Sequence, residues 1–414
     1  MPFTTKITSI NRYTLLFPLA LVLFEFAVYI GNDMAQPAML MIIKEFDVGT
    51  SWAPMSMTAY LIGGASLSWF TGPLSDRIGR RPVLLGGVLY FLLTCLATYL
   101  VSSIETFIGL RVLQGIGLCF IGSVGYAAVQ ESFDEIRAVK VTALMANVAL
   151  IAPMAGPLAG AALVGIAPWR SCFLFIAAIS FLSLVGLWYN MPETVSPHTE
   201  KEPYSQIIHD YISLFQQVRF LRSALAMAFV SMALIGWIAM SPVLLVQDFS
   251  CSLLEYGLWQ LPVFGSLVLG NILVFFIADR WPLGRTVLLS YWPITAGMLC
   301  ILLGLVVQLN TPLHTPVFIV AGISLIAFAE GLSMAVLYRF ALMSSNHAKG
   351  IVSAGLSILA MSCYALGIEV SRLAHVAWGV TGFTWAMVAM TCCFMLVSRS
   401  SVLGEMKIRT HDTD

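Results

Sequence analysis

Charge is what this sequence has least of. Only 10% of its 414 residues are Asp, Glu, Lys or Arg, where soluble chains carry roughly 25%. A soluble domain so poor in charge would lack a polar surface, so lipid must cover much of a chain that is 59% hydrophobic. A soluble enzyme, a disordered chain and a disulfide-rich secreted module are excluded at this step. The 21 basic and 21 acidic residues cancel, which leaves no bulk field for nucleic acid. The 8 cysteines include no Cys-x-x-Cys pair, and Cys392 and Cys393 adjoin inside an apolar run. They read as small hydrophobes, not as a redox or metal site. None of the 6 histidines falls near the middle of an apolar run, so neither a metal site nor a histidine proton relay is expected. No Gly-Lys pair occurs, so the chain has no phosphate-cradling GxxxxGK[ST] loop and an ATP-driven pump is disfavoured. No cofactor is implied, and no nucleophile–base constellation marks an enzyme.

Long apolar runs are what the sequence has. The first extends from about Thr14 to Gln36, and eleven more centre near Gly63, Phe91, Gly117, Ala152, Ala178, Ala233, Ser266, Ala296, Ala329, Leu359 and Met390. Each is long enough to span a bilayer. Glu25 and Asp33 interrupt the first run, which argues against a cleaved signal peptide. The expected fold is an all-α polytopic membrane protein of twelve helices, in two six-helix halves at 1–191 and 223–414. The polar stretch 192–222 reads as the linker between them. With both termini cytoplasmic, most lysines and arginines fall on the inner side, and only Lys44, Arg170 and Arg372 near the outer side. The halves also look like repeats: Asp76-Arg77-Ile78-Gly79-Arg80 is echoed by Asp279-Arg280-Trp281-Pro282-Leu283-Gly284-Arg285. Parallel halves of this kind place a substrate site near the midplane.

Four features carry chemistry. The first inner loop reads Gly72-Pro73-Leu74-Ser75-Asp76-Arg77-Ile78-Gly79-Arg80-Arg81-Pro82, a short connection whose Asp and Arg residues can dock on helix ends and hold a gate. The fifth run contains Pro153, Gly156, Pro157 and Gly160. The prolines and the glycines are each four apart, so each pair lies along one helix face, where small residues permit close approach. Arg111, followed by Gln114 and Gly115, lies within the fourth run at a depth similar to Asp33, and a buried arginine is expected to find an acid. The acids are the fourth feature. Glu25 sits near the middle of the first run, and Asp33 lies about 12 Å further outward and roughly 80° around the helix. Glu330 is near the middle of the tenth run. Each ionised acid at a span centre costs about 2.5–3.5 kcal/mol, so three of them point to protonation chemistry, with Asp33, Glu25, Glu330 and Arg111 as the coupling set. Glu369 and Arg372, three apart, are expected to pair with each other. Around the acids, Tyr29, Asn32, Gln114, Leu118, Met145 and Ala149 offer aromatic, apolar and adaptable surfaces suited to varied lipophilic ligands.

The inner-loop string matches the G-x-x-x-D-R-x-G-R-R signature of the major facilitator superfamily. Arg111-x-x-Gln114-Gly115 matches its R-x-x-Q-G element, and the Pro153–Gly160 stretch resembles its antiporter motif. The likeness extends over the whole chain and resembles the drug/proton antiporters, in their multidrug and chloramphenicol-resistance branch of the MdfA and CraA type. Phe24-Glu25-Phe26, Tyr29-Ile30-Gly31-Asn32-Asp33 and Gly122–Glu131 carry it. The resemblance implies proton and substrate handling at Glu25 and Asp33. It implies gating at Gly72, Asp76, Arg77, Gly79, Arg80, Arg81, Pro153, Gly156, Pro157 and Gly160. It also implies a monomeric pump of the bacterial inner membrane, with lipophilic neutral or cationic drugs, protons and the lipid bilayer as partners. Glu330 departs from the MdfA pattern and looks closer to the CraA form. The competing expectation is a proton-coupled importer of a small nutrient.

Overall fold

The computed structural model describes residues 12–195, 203–277, 283–310 and 315–411. Among them all regular structure is helical. The first run folds as α1 (Arg12–Asp33) and α2 (Ala35–Glu45), broken at Met34. Pro37 explains the break: it has no N–H for the carbonyl four residues back, that of Asp33, and its ring crowds that turn. The second run is likewise divided, into α3 (Trp52–Ser66) and α4 (Ser68–Ile78). Gly79, with φ of +108°, turns the chain into α5 (Arg80–Ala97). The fourth run comprises α6 (Ile104–Gly115), α7 (Gly117–Phe120), a wide π-helical turn at Ile121–Gly125 and α8 (Tyr126–Ser132). Then come α9 (Glu135–Val164), with Pro153 and Pro157 inside it, and α10 (Arg170–Asn190).

The stretch expected to be a plain linker contains a helix, α11 (Tyr204–Gln216). Its apolar residues recur at helical spacing among polar ones, which overall polarity concealed. Beyond it lie α12 (Val218–Pro242), which runs into a π-helical turn at Val243–Asp248, and α13 (Leu253–Ile277). They are followed by α14 (Leu283–Leu289), α15 (Tyr291–Asn310), α16 (Thr315–Leu342) and α17 (Lys349–His411). Residues 279–282 of the second-half echo lie outside the described set.

Nine segments among the described residues are long and apolar enough to cross a membrane. One of them, in α17, leaves helical geometry at Trp378 and Gly379 and so supplies two rods. The broken α3–α4 pair and α9, apolar over Ile151–Val164, are two further apolar passages. This pattern is consistent with twelve.

The chain divides into two compact units, one of Met1–Val48 with Ala59–Ile208 and one of Gly49–Thr58 with His209–Asp414. In the first, α1 packs on α9 and α10, and α10 on α5. Gly115 sets α6 hard against α3, since any Cβ there would collide with the Tyr60 carbonyl. In the second, α12 packs on α16 and α17, and α16 also on α13 and α15. The outward faces carry large apolar side chains such as Leu269, Phe276, Leu299 and Trp385. Exposed apolar surface on that scale is the signature of lipid contact.

Candidate functional site

The first unit gathers Asp33, Asn32, Arg111 and Gln114 into one buried polar network. Arg111 does not reach Asp33 by a direct ion pair. Its Nη2 donates to Asn32 Oδ1 at 3.2 Å, and Asn32 Nδ2 donates to Asp33 Oδ1 at 3.1 Å. Nη1 donates to the Gly31 carbonyl at 3.2 Å and to Gln114 Oε1 at 2.9 Å. The guanidinium also lies 4.5 Å from the centroid of the Tyr60 ring, a cation–π contact strengthened by exclusion of water. Gln114 Nε2 donates to the Thr94 carbonyl and to Thr98 Oγ1, at 3.2 and 2.8 Å. Both ends of the Asn32 and Gln114 amides are therefore engaged within the protein. Their geometry is that of groups orienting Arg111 and Asp33.

The span-five glycines meet this network where α1 breaks. A Cβ on Gly156 would lie 2.7 Å from Asp33 Cβ, and one on Gly160 would strike the Met34 carbonyl oxygen and approach Pro37 Cγ to 2.7 Å. The antiporter-like stretch thus packs directly against the backbone that carries Asp33, a link that spacing alone does not reveal.

Glu25 is fully buried, eight residues before Asp33, with Tyr29 between them on the same helix face. Its Oε1 accepts from the Tyr126 hydroxyl at 2.9 Å, and its Oε2 has no hydrogen-bond partner among the described residues. Tyr126 comes directly after the π turn. One extra residue in that turn rotates the downstream helix by about 100°, which is how a π bulge re-aims a side chain. Met145 is buried in α9 and Leu118 is half-buried; the side chain of Ala149 lies outside the described set.

The inner loop folds as a clasp around Arg80. Its guanidinium pairs with Asp76 at 2.5 Å and Glu131 at 2.8 Å, and donates to Ser75 Oγ. Glu193, which lies in the polar stretch 192–222, completes it. Its carboxylate accepts from the backbone N–H of Arg80 at 2.9 Å and of Arg81 at 3.2 Å, capping the start of α5. The φ of +108° at Gly79 requires glycine, and a Cβ there would displace the Glu193 carboxylate from its bonds to the start of α5. Arg81 reaches the Trp188 carbonyl at 2.6 Å. Sequence reasoning missed both glutamates, Glu131 on α8 and Glu193 in the segment just past α10, which only the fold brings to Arg80.

At the other end of the first unit, Glu45 accepts from Arg170 Nη1 at 2.7 Å and from Trp169 Nε1 at 2.5 Å. Partial burial pushes its carboxyl up, but the bonds from Arg170 and Trp169 outweigh that and hold its pKa below the ordinary carboxylate value.

In the second unit, Glu330 is buried on α16. Its Oε1 accepts from Ser231 Oγ of α12 at 2.5 Å, and its Oε2 has no partner among the described residues. Met334 and Tyr364 adjoin the same serine. Glu369 pairs with Arg372 at 2.7 Å, as its spacing suggests, and also accepts from Thr58 Oγ1 at 3.0 Å. No group of three or more potential metal ligands occurs among the described residues.

Comparison with known proteins places this architecture. The sequence profile of the Major Facilitator Superfamily matches residues 21–368. The chain is 49% identical over 391 residues to a protein of Edwardsiella piscicida named Multidrug transporter MdfA, covering 92% of this chain and 94% of that one. Its identity to the Multidrug transporter MdfA of Escherichia coli O6:H1 is 47% over 370 residues, covering 89% of each. Among solved structures, a bacterial homolog of the human lysosomal transporter Spinster aligns with a TM-score of 0.73 at 16% identity, over 95% of this chain and 97% of its own. The human organic anion transporter MFSD10 aligns at 0.67 and 16%, over 94% and 99%. At such identity these two attest the fold alone. The helical architecture, the profile match and the relatives agree: this chain is a member of the major facilitator superfamily and a multi-pass membrane protein.

Proposed function

We propose that the protein is a secondary multidrug exporter of the bacterial cytoplasmic membrane. It exchanges lipophilic neutral or cationic drugs, chloramphenicol-like compounds among them, for protons. Exchange proceeds by alternating access of the halves 1–191 and 223–414, joined by 192–222, with both termini cytoplasmic and the monomer as working unit. The relatives named multidrug transporters support the drug-export part. The observation that carries the proton part is the buried chain Asp33–Asn32–Arg111–Gln114 seated at the α1 break against Gly156 and Gly160.

Proton binding at Asp33 alters the acceptor that Asn32 faces, and Asn32 passes the change to Arg111. Because α9 rests on Asp33 and Met34 without intervening side chains, a shift of that backbone moves a whole helix. Glu25 and Glu330 each have one carboxylate oxygen without a hydrogen-bond partner among the described residues. They serve as the sites where a proton or a drug's cationic N–H is taken up, with Tyr29, Leu118 and Met145 as lining. The Gly72–Arg81 loop gates the inner side, held by the Arg80 clasp, and Pro153 and Pro157 bend the helix that transmits the motion.

The test is drug accumulation in proteoliposomes under an imposed pH gradient. Accumulation of a neutral phenicol that needs the gradient and collapses with a protonophore is expected. Accumulation indifferent to the gradient overturns proton exchange, and no accumulation of any drug overturns export.

A further inference from the structure

Helix α11 shows more apolar surface than the protein covers. Leu214 and Phe215 pack into the apolar core of the second unit with Phe220, and Gly355 is close enough that a Cβ there would touch Leu214 Cδ2 at 2.8 Å. The loop after α16 secures the same helix, because His347 meets Ser213 Oγ at 2.8 Å and Gln217 Nε2 at 3.3 Å. At about 100° per residue, the face left uncovered divides into two strips. One is Ile208 and Ile212, a turn apart and 47% and 54% exposed. The other is Ser205, His209 and Gln216, also exposed. Water suits the second strip and not the first. Val218, just past the helix, and Met343, in the loop that His347 anchors, extend the exposed apolar border.

Charge identifies the occupant. Arg219 and Arg222 in the first turns of α12, and Arg339 and Lys349 flanking the loop, are all exposed. The single acid within α11 is Asp210. A helix at the ends of membrane spans, with one uncovered apolar strip, one polar strip and cations beside it, has the make-up of an in-plane interfacial helix. Each basic residue near an anionic bilayer surface adds about 1 kcal/mol of attraction.

We propose that α11 lies in the headgroup plane of the leaflet on the basic-loop side. Ile208 and Ile212 enter the acyl boundary, and Arg219 and Arg222 bind anionic phospholipid headgroups. The connection between the two halves is then anchored to lipid, so its freedom depends on the charge of the leaflet.

The experiment places an environment-sensitive fluorescent amino acid at position 212, and separately at 209, in the full-length protein. Each is reconstituted into vesicles of phosphatidylcholine with or without phosphatidylglycerol. The expected result is blue-shifted emission at 212, protected from aqueous iodide and quenched by lipids brominated near the headgroup end, with water-like emission at 209. Phosphatidylglycerol should deepen the quenching by brominated lipid, and the double change Arg219→Gln, Arg222→Gln should abolish that increment while leaving 212 shielded. Equal iodide access at 212 and 209 overturns the interfacial placement. Indifference of the unmodified protein to phosphatidylglycerol overturns the anionic-lipid contact.

Discussion

Asp33 and Glu330 are both buried acids on apolar helices, yet their surroundings differ in kind. Asp33 is wired through Asn32 to a buried arginine that is itself held by Gln114, Gly31 and the Tyr60 ring. Glu330 accepts from one serine hydroxyl and has its second oxygen without a partner among the described residues. Glu25, with Tyr126, repeats the second pattern. A charge held in a network resists change and transmits it, because moving one member disturbs the rest. A carboxylate with one hydroxyl partner can exchange its proton or ligand without disturbing much else. Under the proposed proton exchange, this contrast gives transmission to Asp33 and local loading to the two glutamates.

The largest effect should come from removing the hub. Arg111→Ala leaves Gly31 O, Asn32 Oδ1 and Gln114 Oε1 buried without that donor, and each such group costs about 1–3 kcal/mol. Loss of transport accompanied by a lower unfolding temperature in detergent is expected; Arg111→Ala protein with normal export and stability would remove Arg111 from the account. Next in size is Gly160→Ala. A single Cβ meets the Met34 carbonyl, so transport should fall at least about tenfold, equivalent to about 1.4 kcal/mol in a barrier. Normal rates would reduce the stretch to a kink.

The glutamates sharpen the contrast. Ser231→Ala and Tyr126→Phe each remove one hydroxyl from Glu330 and Glu25, and a net effect of about 1 kcal/mol is expected. It should appear as altered drug affinity with proton coupling retained, measured as drug transported per proton. Loss of coupling in Ser231→Ala would place Glu330 beside Asp33 in role. Smaller still is Glu193→Gln, which keeps an acceptor but loses the charge at the start of α5. It should lower stability by about 0.3–1 kcal/mol and slow transport modestly. The smallest effect concerns Glu45. Its depressed pKa means that the contribution of its bonds is present above the unfolded value of 4.5 and lost as pH falls through the folded value. Acid unfolding of Glu45→Gln should therefore start from a lower plateau and lack that component.

Much of this was legible in the sequence, for identifiable reasons. Scarcity of charge and twelve apolar runs specify a polytopic helical protein, because the bilayer permits few alternatives. The acids and Arg111 stood out because ionisable residues in such runs are rare. Their partners did not. Asn32 and Gln114 read as ligand contacts, since nothing in a linear pattern says that both ends of an amide are already engaged. Tyr126 reaches Glu25 after a π turn, and a turn of that kind breaks the 3.6-residue arithmetic used to assign faces. Ser231 on α12 and Glu193 just past α10 are far along the chain from their partners, so only packing brings them to Glu330 and Arg80. Helix α11 was hidden in a stretch judged by its overall polarity when the order of its residues carried the signal.

The central claim is that Asp33 transmits the proton. Its most direct test is drug-induced proton release from purified, detergent-solubilised protein, comparing the unmodified chain with Asp33→Asn, Glu25→Gln and Glu330→Gln. The account predicts release on drug addition from the unmodified protein, none from Asp33→Asn even where a neutral phenicol still binds, and reduced but measurable release from the two glutamine variants. Proton release by Asp33→Asn equal to that of the unmodified protein, together with export against a gradient, would contradict it.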